Sequence, residues 1–247
     1  MNRSFYIGAV GAQMQQRRMN IIGDNIANLN TFGFKADRTD FIALMYQDHR
    51  GVEDDLPMGV GTRLLMTSTD FSQGPVVDNQ RSLDYMIEGE GFFALVDLAT
   101  GEVSYTRNGA FEMSELIRNT GRTDENGDPI TEKVFCLGDG EGRFVLSDVG
   151  GLIEVTDPAE KLPIGIYDYA NYNGMLQIDG TRYQPVDKNG NLWRGTGILR
   201  QGYLEGSNAD LAEEYTKVIE SQRAYGMALK MVQTSDEIEA TINGLRS

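Results

Sequence analysis

The residue types that carry most metal and nucleophile chemistry are nearly missing from this chain. Its 247 residues include one cysteine, Cys136, and one histidine, His49. A single cysteine excludes an internal disulfide. A nucleophilic thiol needs a base, and His49 lies far from Cys136 in sequence, so Cys136 reads as a small core hydrophobe. His49 sits among Tyr46, Gln47, Asp48 and Arg50 and reads as an exposed loop or helix-end residue. A zinc site would have to draw most of its ligands from carboxylates, an unusual set. No run of about 18 apolar residues is present, so no segment is expected to span a membrane. The first residues, Met1 to Tyr6, lack the basic region, apolar stretch and small-residue cleavage site of a cleavable signal peptide. Positive charge is also scarce. There are 22 Lys and Arg against 37 Asp and Glu, a net charge of -15. Such a surface repels nucleic acid and anionic lipid, so neither is expected as a partner.

Proline and glycine are scarce at the two ends. All six prolines lie between Pro57 and Pro185, and only six of 29 glycines lie before Gly51 or after Gly206. Both residues break helices and make turns. The ends are therefore candidates for long helices, and the middle is turn-rich. Charge divides in the same way. Residues 1–49 carry a net of +1 and residues 207–247 a net of -3, which leaves -13 in the middle. The middle is expected to present an acidic surface to solvent, and the ends are suited to burial.

In the C-terminal segment, Ser207 or Asn208 is positioned to cap a helix, with Asp210, Glu213 and Glu214 in its first turns. Leu211, Tyr215, Val218, Gln222, Tyr225, Leu229 and Val232 follow at alternating spacings of four and three. That spacing predicts a coiled-coil seam of about three heptads. The stripe then steps sideways to Ile238, Ile242 and Leu245. At ~1.5 Å per residue the helix would be roughly 55 Å long. The N-terminal segment matches it, with Ile7, Val10, Gly11, Met14, Ile21, Ile22, Ile26 and Leu29 on one face from Ser4 to Leu29. Arg17 and Arg18 interrupt that face. Asn25 and Asn28 flank Ile26, and Gln222 falls on the C-terminal seam. Amides buried in a coiled coil fix register and partner number; pointing outward, they do nothing of the kind. The first helix is expected to stop at Asn30-Thr31-Phe32-Gly33, with Gly33 left-handed. A short second helix is expected over Asp37 to Gln47.

The middle alternates as short strands do. Leu83–Ile87, Phe92–Val96, Val103–Arg107, Arg143–Leu146, Ile153–Val155 and Ile164–Tyr169 are candidates, with a turn at Asn108-Gly109 before Phe111. Gly89-Glu90-Gly91-Phe92-Phe93-Ala94 fits the loose dinucleotide pattern, but a strand follows where a helix would have to hold the pyrophosphate, and Glu90 repels phosphate. Gly138 to Gly142 reads as an acidic turn. Asp124 to Asp128 and Asp187 to Asn191 start like calcium loops, yet Pro129 and Leu192 stand where glycine is needed, and Phe135 and Ile198 where glutamate is needed. Both read as solvated turns. No acid-base dyad stands out, so no enzymatic activity, cofactor or small-molecule substrate is expected.

Several segments together resemble the flagellar rod and hook protein family. Asp24-Asn25-Ile26-Ala27-Asn28-Leu29-Asn30-Thr31-Phe32-Gly33-Phe34-Lys35 is similar to its N-terminal signature, although the family usually has Ala and Asn at the positions of Gly23 and Asp24. Gly91-Phe92-Phe93 and Tyr105-Thr106-Arg107-Asn108-Gly109-Ala110-Phe111 are similar to internal segments. Gly202-Tyr203-Leu204-Glu205-Gly206-Ser207-Asn208, Glu220-Ser221-Gln222-Arg223-Ala224-Tyr225 and Gln233-Thr234-Ser235-Asp236-Glu237 are similar to C-terminal ones. Length, Phe41 to Gln47, Gly59 to Arg63 and Phe71 to Gly74 favour the distal-rod branch. Residues Glu115 to Leu162 match poorly and are expected to carry a local elaboration.

The resemblance implies an α+β chain, with long terminal helices forming a coiled-coil domain and a central, mostly antiparallel β domain. The expected division is 1–48 for the N-terminal helical part, 49–82 for an extended connection, 83–200 for the β domain and 201–247 for the C-terminal helix. It further implies a structural subunit, exported by the flagellar type III apparatus without a cleaved signal. Subunits would polymerise outside the cytoplasmic membrane into a hollow drive shaft, with neighbouring rod proteins and the hook protein as further partners. The assembly residues expected on the N-terminal helix are Ile7, Met14, Ile22, Asn25, Ile26, Asn28 and Leu29. Those on the C-terminal helix are Leu211, Tyr215, Val218, Gln222, Tyr225, Leu229 and Val232. Thr31, Gly33 and Phe34 would form the turn that sends the chain outward. The competing readings are another rod or hook component, a secreted enzyme or carbohydrate-binding β domain, and a monomer whose ends pair only within one chain.

Overall fold

Proline is absent from the ends and only six of the 29 glycines lie there, and both ends are helical. The computed structural model describes residues 3–43, 47–48, 57–58, 62–123 and 129–245. Helix α1 runs Arg3–Ala27 and helix α2 runs Leu211–Gly244. His49, Leu44 to Tyr46, Gly59 to Gly61 and the Asp124 to Asp128 loop lie outside the described residues. The chain divides into two units. One comprises Met1–Leu29, Ala36–Asp70 and Ala209–Ser247, and the other comprises Asn30–Lys35 and Phe71–Asn208.

In the first unit α1 and α2 lie side by side and antiparallel. A Cβ on Gly8 would stand 2.9 Å from Val232, one on Gly11 would stand 3.8 Å from Ala228, and Arg18 approaches Glu220 at 3.6 Å. The missing side chain at Gly8 is what lets the helices approach there. Two strand pairs complete the unit. Strand β1 (Asp37–Ala43) pairs with β4 (Thr62–Thr69) in antiparallel register, and the short β2 (Gln47–Asp48) pairs with β3 (Pro57–Met58). The helix expected over Asp37 to Gln47 is thus replaced by a strand over its first seven residues. A helix of about 11 residues is marginal alone, and the Thr-rich β4 satisfies the backbone of β1 along its length.

The second unit is built from short antiparallel strands. In chain order these are β5 (Val76–Asp78), β6 (Tyr85–Glu88), β7 (Phe93–Asp97), β8 (Val103–Thr106), β9 (Glu112–Thr123), β10 (Pro129–Gly138), β11 (Arg143–Val145), β12 (Tyr167–Tyr169), β13 (Leu176–Asp179), β14 (Arg182–Gln184), β15 (Leu192–Arg194), β16 (Ile198–Gln201) and β17 (Tyr203–Glu205). Seven form one sheet in the order β13-β14-β8-β7-β11-β10-β9. Alternation along β7 gives it two cores. Phe93 and Leu95 pack with Tyr85, Ile87, Phe111, Leu137 and Val145, whereas Phe92 and Ala94 pack with Tyr105, Tyr169 and Tyr183.

Three readings of the middle change. Asn108-Gly109 does not close a hairpin, because β8 pairs with β7 and β14, and the Gly109 carbonyl accepts from the Tyr85 N–H. Ile153–Val155 makes only an isolated bridge, Glu154 to Cys136. A long hairpin, β9–β10, forms one sheet edge where no strand is expected. Its mixed charged and apolar residues follow no clean alternation, so it is not legible as strand.

Candidate assembly interface

Helix α2 starts where a carboxylate can close its first turn. The Asp210 side chain accepts from the Ala212 and Glu213 N–H groups, so Asp210 is the cap, rather than Ser207 or Asn208. The face that α2 turns toward α1 is narrow and rather polar. Glu214, Ser221 and Ser235 are buried there, with Lys217, Ala224 and Ala228 half-buried beside them. Burial pulls the Lys217 ammonium down, but hydrogen bonds and attraction from Glu214 and Glu213 outweigh it, and the net shift is upward. Ser221 Oγ, Ser235 Oγ and Glu214 Oε2 find no hydrogen-bond partner among the described residues.

The apolar residues of α2 lie mostly elsewhere. At about 100° per residue, Leu211, Tyr215, Gln222 and Leu229 fall to one side of the α1-facing strip. All four are exposed, Tyr215 at 54% and Leu229 at 39%. Val218 and Tyr225 fall between that stripe and the strip, Val232 falls on the strip in line with Glu214, and all three are half-buried. Met227, Met231, Ile238, Ile242 and Leu245 fall to the other side and are also exposed. Within one chain, then, the heptad stripe is divided: Val232 meets α1 at Gly8, whereas Leu211, Tyr215, Gln222 and Leu229 stay exposed.

On α1 the expected face does meet α2 and the β1–β4 pair. Met14 and Ile22 are buried, and Ile7, Ile26, Asn28 and Leu29 are half-buried. Asn25 is buried too, but against a strand. Its Nδ2 donates to the Asp37 carbonyl and its Oδ1 accepts from the Asp37 N–H, each at 2.9 Å. Asn28 donates to the Asp24 carbonyl at 2.9 Å, within its own helix end. Burial raises the Asp37 carboxyl above its usual range, against the Thr69 hydroxyl that donates to it at 2.7 Å.

The turn after α1 is as expected. Thr31 O accepts from Phe34 N–H, Phe34 is buried, and Gly33 has φ of +71°. The residues around that turn also hold a feature that sequence reasoning missed. Glu205, at the end of β17, accepts from Lys35 Nζ at 2.5 Å through Oε1 and from Arg107 at 3.2 Å through Oε2. All three side chains are buried. Each is the charged residue of a segment already singled out, but nothing local shows that the three meet.

Among the described residues no group of three or more His, Cys, Asp or Glu is placed to hold a metal ion. Burial pushes the Cys136 thiol up and keeps it protonated. Gly91 leads into strand β7, not a helix, and Asp187–Asn189 forms a 3-10 turn. A cleft of about 270 Å³ includes Asp97, Glu102, Glu141, Arg143 and Arg182. Its arginines are engaged, Arg143 by Asp139 and Glu141 and Arg182 by Asp179.

Known proteins align with this picture along the whole chain. A family model described as flagella basal body rod protein matches residues 5–35, which is α1 and its turn. Models described as flagellar hook protein FlgE/F/G D1 domain and flagellar basal body rod FlgEFG protein C-terminal match residues 86–135 and 200–245. The flagellar basal-body rod protein FlgG of Buchnera aphidicola subsp. Schizaphis graminum is 33% identical over 256 residues, with 95% of this chain and 96% of that one covered. Those of Borreliella burgdorferi and Bacillus subtilis are each 30% identical, covering 100% and 96% of this chain and 99% and 97% of their own. The flagellar hook protein FlgE of Borreliella burgdorferi is 36% identical, but over 46% of this chain and 27% of its own length. No helix among the described residues is long and apolar enough to cross a membrane. The chain belongs to the family of flagellar basal-body rod proteins.

Proposed function

We propose that this chain is a structural subunit of the flagellar distal rod, which polymerises into the hollow shaft carrying motor torque toward the hook. The observation that carries this reading is the pair of exposed apolar stripes on α2 in a chain similar over its full length to FlgG rod proteins. A soluble monomer gains nothing from showing solvent Leu211, Tyr215, Leu229, Met227 and Ile238 along one helix, whereas a polymer buries them. At roughly 25 cal/mol per Å² of apolar area, two such stripes supply several kcal/mol per subunit. The occupant is a second copy, and the contact is heterologous, so growth does not close. The terminal helices form the inner, coiled-coil layer and the β unit an outer one. The subunit acts outside the cytoplasmic membrane, reached through the type III export apparatus, beside other rod proteins and the hook protein. Another rod or hook position is the second reading; the short match to FlgE favours it less than the full-length matches to FlgG do.

Leu229→Asp tests the interface. Leu229 is exposed in the single chain, so the variant keeps its β unit and its monomer melting temperature, but loses concentration-dependent light scattering and leaves basal bodies without a distal rod. Normal rods built from Leu229→Asp would reject the seam.

A further inference from the structure

The chain passes between its two units four times, after Leu29, Lys35, Asp70 and Asn208. The residues of the β unit that flank these passages meet around one side chain, Glu205. Its Oε1 accepts from Lys35 Nζ at 2.5 Å and from the Gly74 N–H at 2.9 Å. Its carbonyl accepts from the Gly33 N–H at 2.8 Å. Lys35 Nζ also donates to the Ser72 carbonyl at 2.6 Å, and Asn208 Nδ2 donates to the same oxygen at 3.1 Å. The opposite side of the cluster reaches the sheet. Arg107 holds Glu205 Oε2 at 3.2 Å, donates to the Gly89 carbonyl at 2.8 Å, and stacks over the Phe92 ring at 5.4 Å.

Stability alone is a poor account of this cluster. Withdrawing three charges from water costs several kcal/mol per ion, and apolar residues of similar volume often hold a fold as well or better. What directional bonds provide and apolar packing does not is a fixed registry of the chain segments they join. We propose that Glu205, with Lys35 and Arg107, is a positioning pin that holds the passages 30–35, 71–74 and 205–208 at one point of the β unit. In a rod subunit, the covalent path of load from the helices into the β unit runs through these passages, so the pin sets how stiffly it is received. That last step rests on the rod reading; the pin itself does not.

Hydrogen exchange on the full-length chain is the test, with a triple variant K35M/R107L/E205M and a milder E205D. The triple variant keeps a melting temperature near that of the parent. In both variants the amides of 30–35, 71–75 and 205–208 exchange roughly 10- to 100-fold faster, the loss of one hydrogen bond to a charged group, while those of β7 and β8 are unchanged. Parental exchange at the passages in a folded triple variant overturns the proposal. If the triple variant unfolds, E205D decides, and a change spread evenly over the sheet overturns the proposal. In a strain lacking its own distal rod protein, the parent restores swimming and the folded triple variant does not. Normal swimming by that variant overturns the pin's part in receiving load, whereas failure of the parent counts against the rod reading alone.

Discussion

Gly33 shows how much one residue can decide. Its φ of +71° lies in the region that costs an L-residue ~1–2 kcal/mol. A Cβ there would also stand 2.2 Å from the Asn108 backbone nitrogen. Strain and clash act together, so Gly33→Ala is expected to lower the thermal midpoint by several degrees, at about 2–4 °C per kcal/mol for a chain of this size. Calorimetry would check it, and an unchanged midpoint would mean the turn is not held as described. Asn25 makes the complementary point. Its amide was open to a register role in a coiled coil, and instead it pairs both ways with the backbone of Asp37. The sequence places Asn25 on a helix face but does not say that a strand runs beside it.

At the scale of elements, α2 is a helix with three uses of its surface. Its start is local chemistry. Asp210 satisfies two N–H groups that would otherwise lack an intrahelical partner, and Asp210→Ala is expected to cost about 1 kcal/mol. The urea midpoint of the helical circular dichroism should fall accordingly, with the β unit unaffected; no shift would place the cap elsewhere. Its length and apolar period follow from the sequence. Which stripe meets α1 does not, because Ser221, Ala224 and Ala228 carry a weaker hydrophobic signal than Leu211, Tyr215 and Leu229. Small residues win that contact through close approach, in concert with Gly8. Strand β1 departs from the expected helix for a related reason. Its helical appearance is local, and its strand form depends on β4, about 25 residues away in sequence.

For the whole molecule, the net charge of -15 opposes the association that the α2 stripes favour. Salt screens that repulsion, with a Debye length of about 10 Å at 0.1 M. Raising ionic strength from about 10 mM to 150 mM is therefore expected to promote self-association in light scattering. An assembly held by ion pairs would weaken instead. The family, the α+β class, the helical ends and the Gly33 turn were all determined by the sequence itself. Each rests on signals confined to neighbouring residues: the absence of Pro from the ends, the heptad spacing, short signature segments. Only the tertiary structure decided that β1 is a strand, that Val232 meets α1 while Leu211, Tyr215 and Leu229 stay exposed, and that Lys35, Arg107 and Glu205 meet. Those three outcomes join residues far apart in the chain, where the energy lies in a partner's surface and no local pattern records it.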